Sequence, residues 1–205
     1  MNRTADCIVI GAGIAGAAAG FFLAPHLKVL LLEQEEQPGF HSTGRSAALF
    51  MESYGTPQVR ALTMASRAFF ESPPEGFAEH PVLGARGAMM VATHGQEAPL
   101  QAHWAVLQPI SPRGALLDAA AACELTPVLR RERVLGAVYE PDASDMDVHA
   151  IHQGYLRGLK RAGGSVVCDA EATALRREGG LWQVEAGGQL YQAPVVLNAL
   201  VTSRS

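Results

Sequence analysis

The chain has 205 residues, 48% of them apolar and 18% charged, with a formal net charge of −4. These totals describe a folded globular chain and give no electrostatic basis for binding nucleic acid or an anionic membrane. No apolar run reaches the roughly 18–20 residues that cross a bilayer.

Cys7, Cys123 and Cys168 are few and scattered, which argues against a disulfide scaffold or a thiolate metal site. With no secretory pattern in the first residues, the expected setting is the cytoplasm.

The first element read along the chain is a buried strand over Ala5 to Ile10, where Ile8, Val9 and Ile10 run without alternation, as in a parallel strand covered on both faces. Gly11, Gly13 and Gly16 follow at once, and Ile14 to Leu23 reads as a helix stopped by Pro25. A second apolar run, Val29 to Leu32, ends in Glu33 and completes a βαβ unit. In this pattern Gly11 permits the tight turn, Gly13 lets backbone amides approach a pyrophosphate, and Gly16 lets helix and strand pack closely. The helix N-terminus then offers free N–H groups to the phosphates. Glu33 stands 22 positions after Gly11, where an acid accepts hydrogen bonds from ribose hydroxyls and disfavours a 2′-phosphate. The motif alone leaves NAD and FAD both open.

Next comes the polar, glycine-bearing "QPGFHSTGRSAALF", Gln37 to Phe50. It lies just beyond the second strand, at the edge of an open α/β sheet where ligands sit. Its composition fits a ligand loop offering Ser42, Thr43, Gly44, Arg45 and Ser46, and it equally fits an ordinary surface loop.

Further on, helical spacing runs from Thr56 to Glu71 before Pro73-Pro74, and Gly87 to Thr93 reads as a strand. Gly114 to Leu125 reads as an alanine-rich helix and Val134 to Tyr139 as a strand. A helix follows from Asp147, a plausible N-cap, to the stop at Gly163-Gly164. Asp145, Asp147, His149 and His152 invite a metal reading, but helix capping and solvated side chains explain them better, so no metal is expected. His80, His94 and His103 fall in loop-like places. Short strands close the chain: Ser165 to Cys168, Ala172 to Arg176, Trp182 to Glu185, Gln189 to Gln192 and Val195 to Asn198.

The run from Asp6 through Glu33 to "HSTGRSAA" resembles the FAD-dependent amine and amino-acid oxidoreductases of the D-amino acid oxidase superfamily. The strings "HSTGRSAALFMESYGTPQVRALTMASRAFFE" and "PVLRRERVLGAVYEPDASDMDVHAIHQGYLRGLKR" are similar to the D-arginine dehydrogenase branch of the glycine/D-amino acid oxidases. The resemblance spans residues 6 to about 199. It implies an α/β fold: a Rossmann-like FAD-binding domain with a β-meander, interrupted by part of an α+β substrate domain. The short strands from Ser165 to Gln192 would form the meander, and Val195 to Asn198 would rejoin the parallel sheet. Residues 1–50 and 145–199 would form the first domain, incompletely, and 51–144 part of the second. It implies FAD as cofactor, held by Gly11, Gly13, Ile14, Ala15, Gly16, Glu33 and Gln34. The loop Ser42, Thr43, Gly44, Arg45, Ser46, Ala47, Ala48 and Leu49 would lie along pyrophosphate and flavin, and Ala172 would meet the adenine through its backbone.

The implied reaction oxidises a D-amino acid, a small-molecule substrate, to a 2-oxo acid and ammonia; the electron acceptor is not implied. Leu49, Tyr54 and Ala88 are the candidate substrate-lining residues, and no complete catalytic set is evident. Tyr54 reads equally as a loop phenol closing over substrate or as an ordinary tyrosine. The branch carries a histidine at the place of Leu49 and an acid at that of Ala88, so the apolar pair here implies a less basic substrate. Where the family strand turns through alanine-glycine, this chain reads "VTSRS". The expectation is a C-terminally truncated member with a non-family tail at 200–205, either an active dehydrogenase or oxidase, or an inactive fragment that at most binds FAD or another dinucleotide.

Overall fold

The computed structural model describes residues 3–200. Its elements begin with β1 (Arg3–Thr4), β2 (Cys7–Ile10), α1 (Ile14–Leu23), β3 (Val29–Leu32), β4 (Leu49–Phe50), α2 (Pro57–Glu71), β5 (Leu83–Ala85) and β6 (Ala88–Thr93). Then follow α3 (Glu97–Leu107), β7 (Ala115–Asp118), α4 (Ala119–Leu125), a 3-10 turn (Arg131–Arg133), β8 (Val134–Glu140) and β9 (Ser144–Met146). The last are α5 (Val148–Arg161), β10 (Ser165–Val167), β11 (Ala172–Glu178), β12 (Leu181–Ala186), β13 (Gln189–Ala193) and β14 (Val195–Asn198). The chain forms two compact units. One comprises the residues up to Ala47, Pro74–His80 and those from Val148 on; the other comprises Ala48–Pro73 and Pro81–Asp147. Among the described residues no helix is long and apolar enough to cross a membrane.

The first unit is built on a four-stranded parallel sheet in the order β10-β3-β2-β14. All residues of β2 and β3 are buried, which is why both strands read as unbroken apolar runs. Helices α1 and α5 cross at close range through small residues. A Cβ on Gly158 would come 2.2 Å from Phe21 Cε2, and one on Gly20 would come 3.2 Å from Leu159 Cδ1. A second sheet, β1-β13-β12-β11, is an antiparallel meander with β1 added in parallel. Its inner face joins the core formed by Ile8, Leu30, Leu32, Val184, Tyr191 and neighbours. Burying each large apolar side chain contributes about 1.5–3 kcal/mol.

Four expectations change here. Ser165–Val167 belongs to the parallel sheet beside β3 and not to the meander, because α5 returns the chain parallel to β3. The segment Gly114 to Leu125 is strand then helix: Leu116 and Leu117 pair with β8, and Asp118 caps α4 by accepting from Ala121 N at 2.8 Å. His103 lies in helix α3, which buries Leu100 and Leu107, and not in a loop. Pro74–His80, inside the stretch expected to begin the substrate domain, packs in the first unit. There Phe77 meets Phe21 and Tyr155 edge-to-face at 5.7 and 5.1 Å. Of the expected tail at 200–205, residues 201–205 lie outside those described.

The stop at Gly163-Gly164 is a Schellman motif. Gly163, at φ +88, and Gly164 donate their amides to Lys160 O and Leu159 O, both at 3.0 Å. The second unit carries two three-stranded antiparallel sheets, β4-β9-β5 and β6-β8-β7, with α3 and α4 packed on β8.

Candidate cofactor cleft and apolar hollows

The turn after β2 is shaped by its glycines. Gly11 sits at φ +97, a conformation L side chains rarely adopt. A Cβ on Gly16 would stand 1.9 Å from Gly11 O, so only glycine lets α1 start this close to the strand. Gly13 is the N-cap of α1 in an extended conformation, with no side-chain cap of its own. The amides of Ile14, Ala15 and Gly16 have no partner one turn back, as at every helix start. Thr43 supplies one from a distance: its Oγ1 accepts from Ile14 N at 2.9 Å.

Around this turn lies a cleft of about 700 Å³. Gly11, Gly13, Glu33 and Gln34 line one part of it, and the loop residues Ser42, Thr43 and Arg45 another, with Gly39, Phe40, His41, Ala199 and Leu200 alongside. The polar loop therefore folds over the glycine turn within one unit. Glu33 is 7% exposed; its Oε2 accepts from Ala12 N at 2.8 Å and its Oε1 from Glu35 N at 3.2 Å. Two carboxylate oxygens have about four acceptor sites, so the side chain keeps capacity for a ligand hydroxyl. At the rim, Glu35 Oε1 meets His41 Nε2 at 2.7 Å and Gln34 Nε2 at 2.9 Å. The hydrogen bonds from His41 and then from Gln34 hold the Glu35 carboxyl below its ordinary range. The Arg45 guanidinium stacks over Phe40 at 5.4 Å.

Gly44 folds back on Gly39, whose carbonyl accepts its amide at 2.8 Å, and Ser46 N donates to Thr43 O at 3.4 Å. Ala47 ends this stretch of the first unit, whereas Ala48 belongs to the second, where its carbonyl accepts from Met146 N at 3.1 Å. Ala172 starts β11 and packs on the sheet core, outside the walls of the cleft.

His152 departs from the expectation of a capping or solvated side chain. It is 3% exposed, with Nε2 2.8 Å from Ala12 O and its ring beneath Gly39. The signal for burial lies in its position: it shares the stripe of Ile151, Tyr155, Leu156 and Leu159 along α5. Among the described residues no group of three or more His, Cys, Asp or Glu could hold a metal ion. Cys7 and Cys168 have their thiols pushed up by burial, away from thiolate reactivity.

In the second unit, Leu49 borders two hollows. One, of about 500 Å³, is an apolar groove shared with Phe50, Tyr54 and the Val59–Leu62 face of α2. The other, of about 470 Å³, is shared with Ala88, Met89, Arg86 and Tyr139. Leu49 and Ala88 thus meet at one hollow, and Tyr54 lines the other at 66% exposure. The backbone leading to Tyr54 is anchored. Ser53 Oγ donates to buried Glu140, which also accepts from Glu52 N at 2.9 Å. Arg67 grips the Glu52 carboxylate through Nε and an Nη, at 2.8 and 3.0 Å.

The chain is similar to proteins of known sequence and structure. The beta subunit of sarcosine oxidase from Rhodobacter capsulatus is 25% identical over 186 residues, covering 85% of this chain and 44% of that one. The crystal structure of glycine oxidase from Geobacillus kaustophilus superposes with a TM-score of 0.84 at 22% identity, covering 97% of this chain and 55% of that one. L-proline dehydrogenase from P. horikoshii gives 0.82 at 17% identity, with 97% and 53% covered. The chain spans about half the length of these relatives, and the likeness to the two solved structures is one of fold. The family model described as FAD dependent oxidoreductase, DAO, matches residues 6–200; with the glycine turn and parallel sheet in place, the chain belongs to the DAO family of FAD-dependent oxidoreductases.

Proposed function

We propose that the first unit holds the ADP half of FAD, in a protein that oxidises the CH–NH2 group of an amino acid to a 2-oxo acid and ammonia. The observation that carries this reading is the cleft itself, where a glycine turn, a helix N-terminus and the Glu33 carboxylate face one space with the Thr43 loop. The residues fit the group. A Cβ at Gly13 would come 3.2 Å from Thr43 Oγ1, so the glycine keeps the space open where a pyrophosphate would approach backbone amides. FAD, when bound, accepts the hydride that leaves the substrate Cα. Gly13 and the first turn of α1 would hold the phosphates, Glu33 the ribose hydroxyls, and Ser42, Thr43 and Arg45 the far side of the pyrophosphate.

The substrate loses a hydride from Cα and a proton from nitrogen, and water then hydrolyses the imino acid to the 2-oxo acid and ammonia. Leu49 and Ala88 make the hollow they share poorly suited to a cationic side chain, which favours a neutral D-amino acid. Tyr54 lines the apolar groove and would exclude water over it. The D configuration rests on the resemblance of the loop strings alone, so both enantiomers belong in the assay.

The test is the visible absorption spectrum of the purified chain after reconstitution with FAD and removal of the free cofactor. A bound-flavin spectrum supports the reading, and anaerobic bleaching by neutral amino acids then reports the substrate. A colourless protein that also fails to retain added FAD would refute it.

A further inference from the structure

We propose that His152 is a positioning residue for the nucleotide turn: it sets the direction in which the Gly13 amide points. The inference rests on the reading of the cleft as a dinucleotide site. A carbonyl only accepts, so the 2.8 Å contact to Ala12 O places the proton on His152 Nε2. The Ala12–Gly13 peptide is trans, as are all peptide bonds described, so its C=O and N–H point in opposite directions. With Ala12 O drawn toward His152, the Gly13 N–H is directed away from it. Gly13 lines the cleft, whereas His152 is buried behind the turn.

The peptide on the other side of Ala12 is fixed as well, because Ala12 N donates to Glu33 Oε2 at 2.8 Å. Both peptide groups flanking Ala12 are therefore held by side chains remote in sequence, one from the end of β3 and one from α5. A glycine-rich turn has many backbone states, and without these two bonds the Gly13 amide would sample several. Gly39 completes the arrangement. At φ +83, a Cβ there would stand 2.9 Å from His152 Cε1 and 3.1 Å from Nδ1, so glycine lets the loop close over the imidazole. The same residue accepts Gly44 N at 2.8 Å, which ties the "STGR" loop to the clamp.

The test compares His152→Phe, His152→Gln and His152→Asn in the full chain. Gln places an N–H near the position of Nε2, Asn does not reach it, and Phe fills the space without a donor. Two readouts are needed: amide hydrogen exchange of residues 8–17 without cofactor, and the FAD dissociation constant by equilibrium dialysis. Phe and Asn should speed exchange in the turn and weaken FAD by about tenfold, the worth of one net hydrogen bond, while Gln stays within about threefold of wild type. If Phe fails to fold, the Asn–Gln pair decides. Wild-type exchange and affinity in Phe and Asn, or equal damage in Gln, would overturn the proposal. Failure of wild type to bind FAD would refute the cofactor reading, and the cofactor-free exchange data would still decide whether His152 sets the turn.

Discussion

Replacing Gly16 by alanine tests how closely α1 sits on β2. Alanine is the better helix former by about 0.8–1 kcal/mol, so an isolated helix would gain from the change. In the folded chain the new Cβ would stand 1.9 Å from Gly11 O and 3.3 Å from Val9 Cγ1. Real contacts of this kind do not fall below 3.0 Å, so helix and turn must separate by about 1.1 Å, and a carbonyl oxygen in a turn cannot rotate aside as a methyl can. Forced shifts of this sort cost about 1–3 kcal/mol. Against the propensity gain, the net expectation is a loss of up to about 2 kcal/mol, together with weaker FAD binding if the displaced helix start holds the phosphates as proposed. Gly20→Ala is the control. It has the same propensity gain, but its Cβ meets only the ends of Leu31 and Leu159 side chains, at 2.9 and 3.2 Å, and should be near neutral. At roughly 2–4 °C per kcal/mol for a chain of this size, Gly16→Ala should melt several degrees below Gly20→Ala. A Gly16→Ala protein that melts at or above the control would refute the reasoning.

Glu33→Gln leaves one of the Ala12 and Glu35 amides facing an NH2 group in place of an oxygen; the expected loss is about 1–3 kcal/mol, read by urea denaturation. Asp142 is held below the ordinary carboxylate range first by the Ser111 hydroxyl and then by Arg113, against the opposing effect of burial. Its contribution is therefore present above the ordinary range and lost as pH falls toward the lowered value. The melting-temperature gap between wild type and Asp142→Asn should be constant from pH 7 to 5 and shrink below about pH 4; a gap independent of pH would count against it. Asp118→Ala removes the cap on Ala121 N and should cost about 1 kcal/mol by thermal melting, with Asp118→Asn restoring most of it.

Much of the first unit was legible because it is encoded locally. The unbroken apolar runs of β2 and β3, the three glycines and the acid after β3 each owe their form to neighbours in sequence, and Val195–Asn198 carries the same parallel-strand pattern. The second unit was read less well. Leu116 and Leu117 are strand residues because β8 offers them an edge, and an alanine-rich run shows nothing of a partner 20 residues on. The "HSTGR" loop could be suspected of contacting a ligand, yet that Thr43 would serve the start of a helix 29 residues earlier depends on how the chain folds back.

The sequence by itself determined the strand–turn–helix and its acid, because backbone conformation at glycine and burial of consecutive apolar residues are short-range effects. Only the tertiary structure decided that His152, 140 residues from Ala12, closes the turn. An imidazole in an apolar stripe becomes a clamp only when packing buries it against one particular carbonyl, and no local pattern records which carbonyl that is.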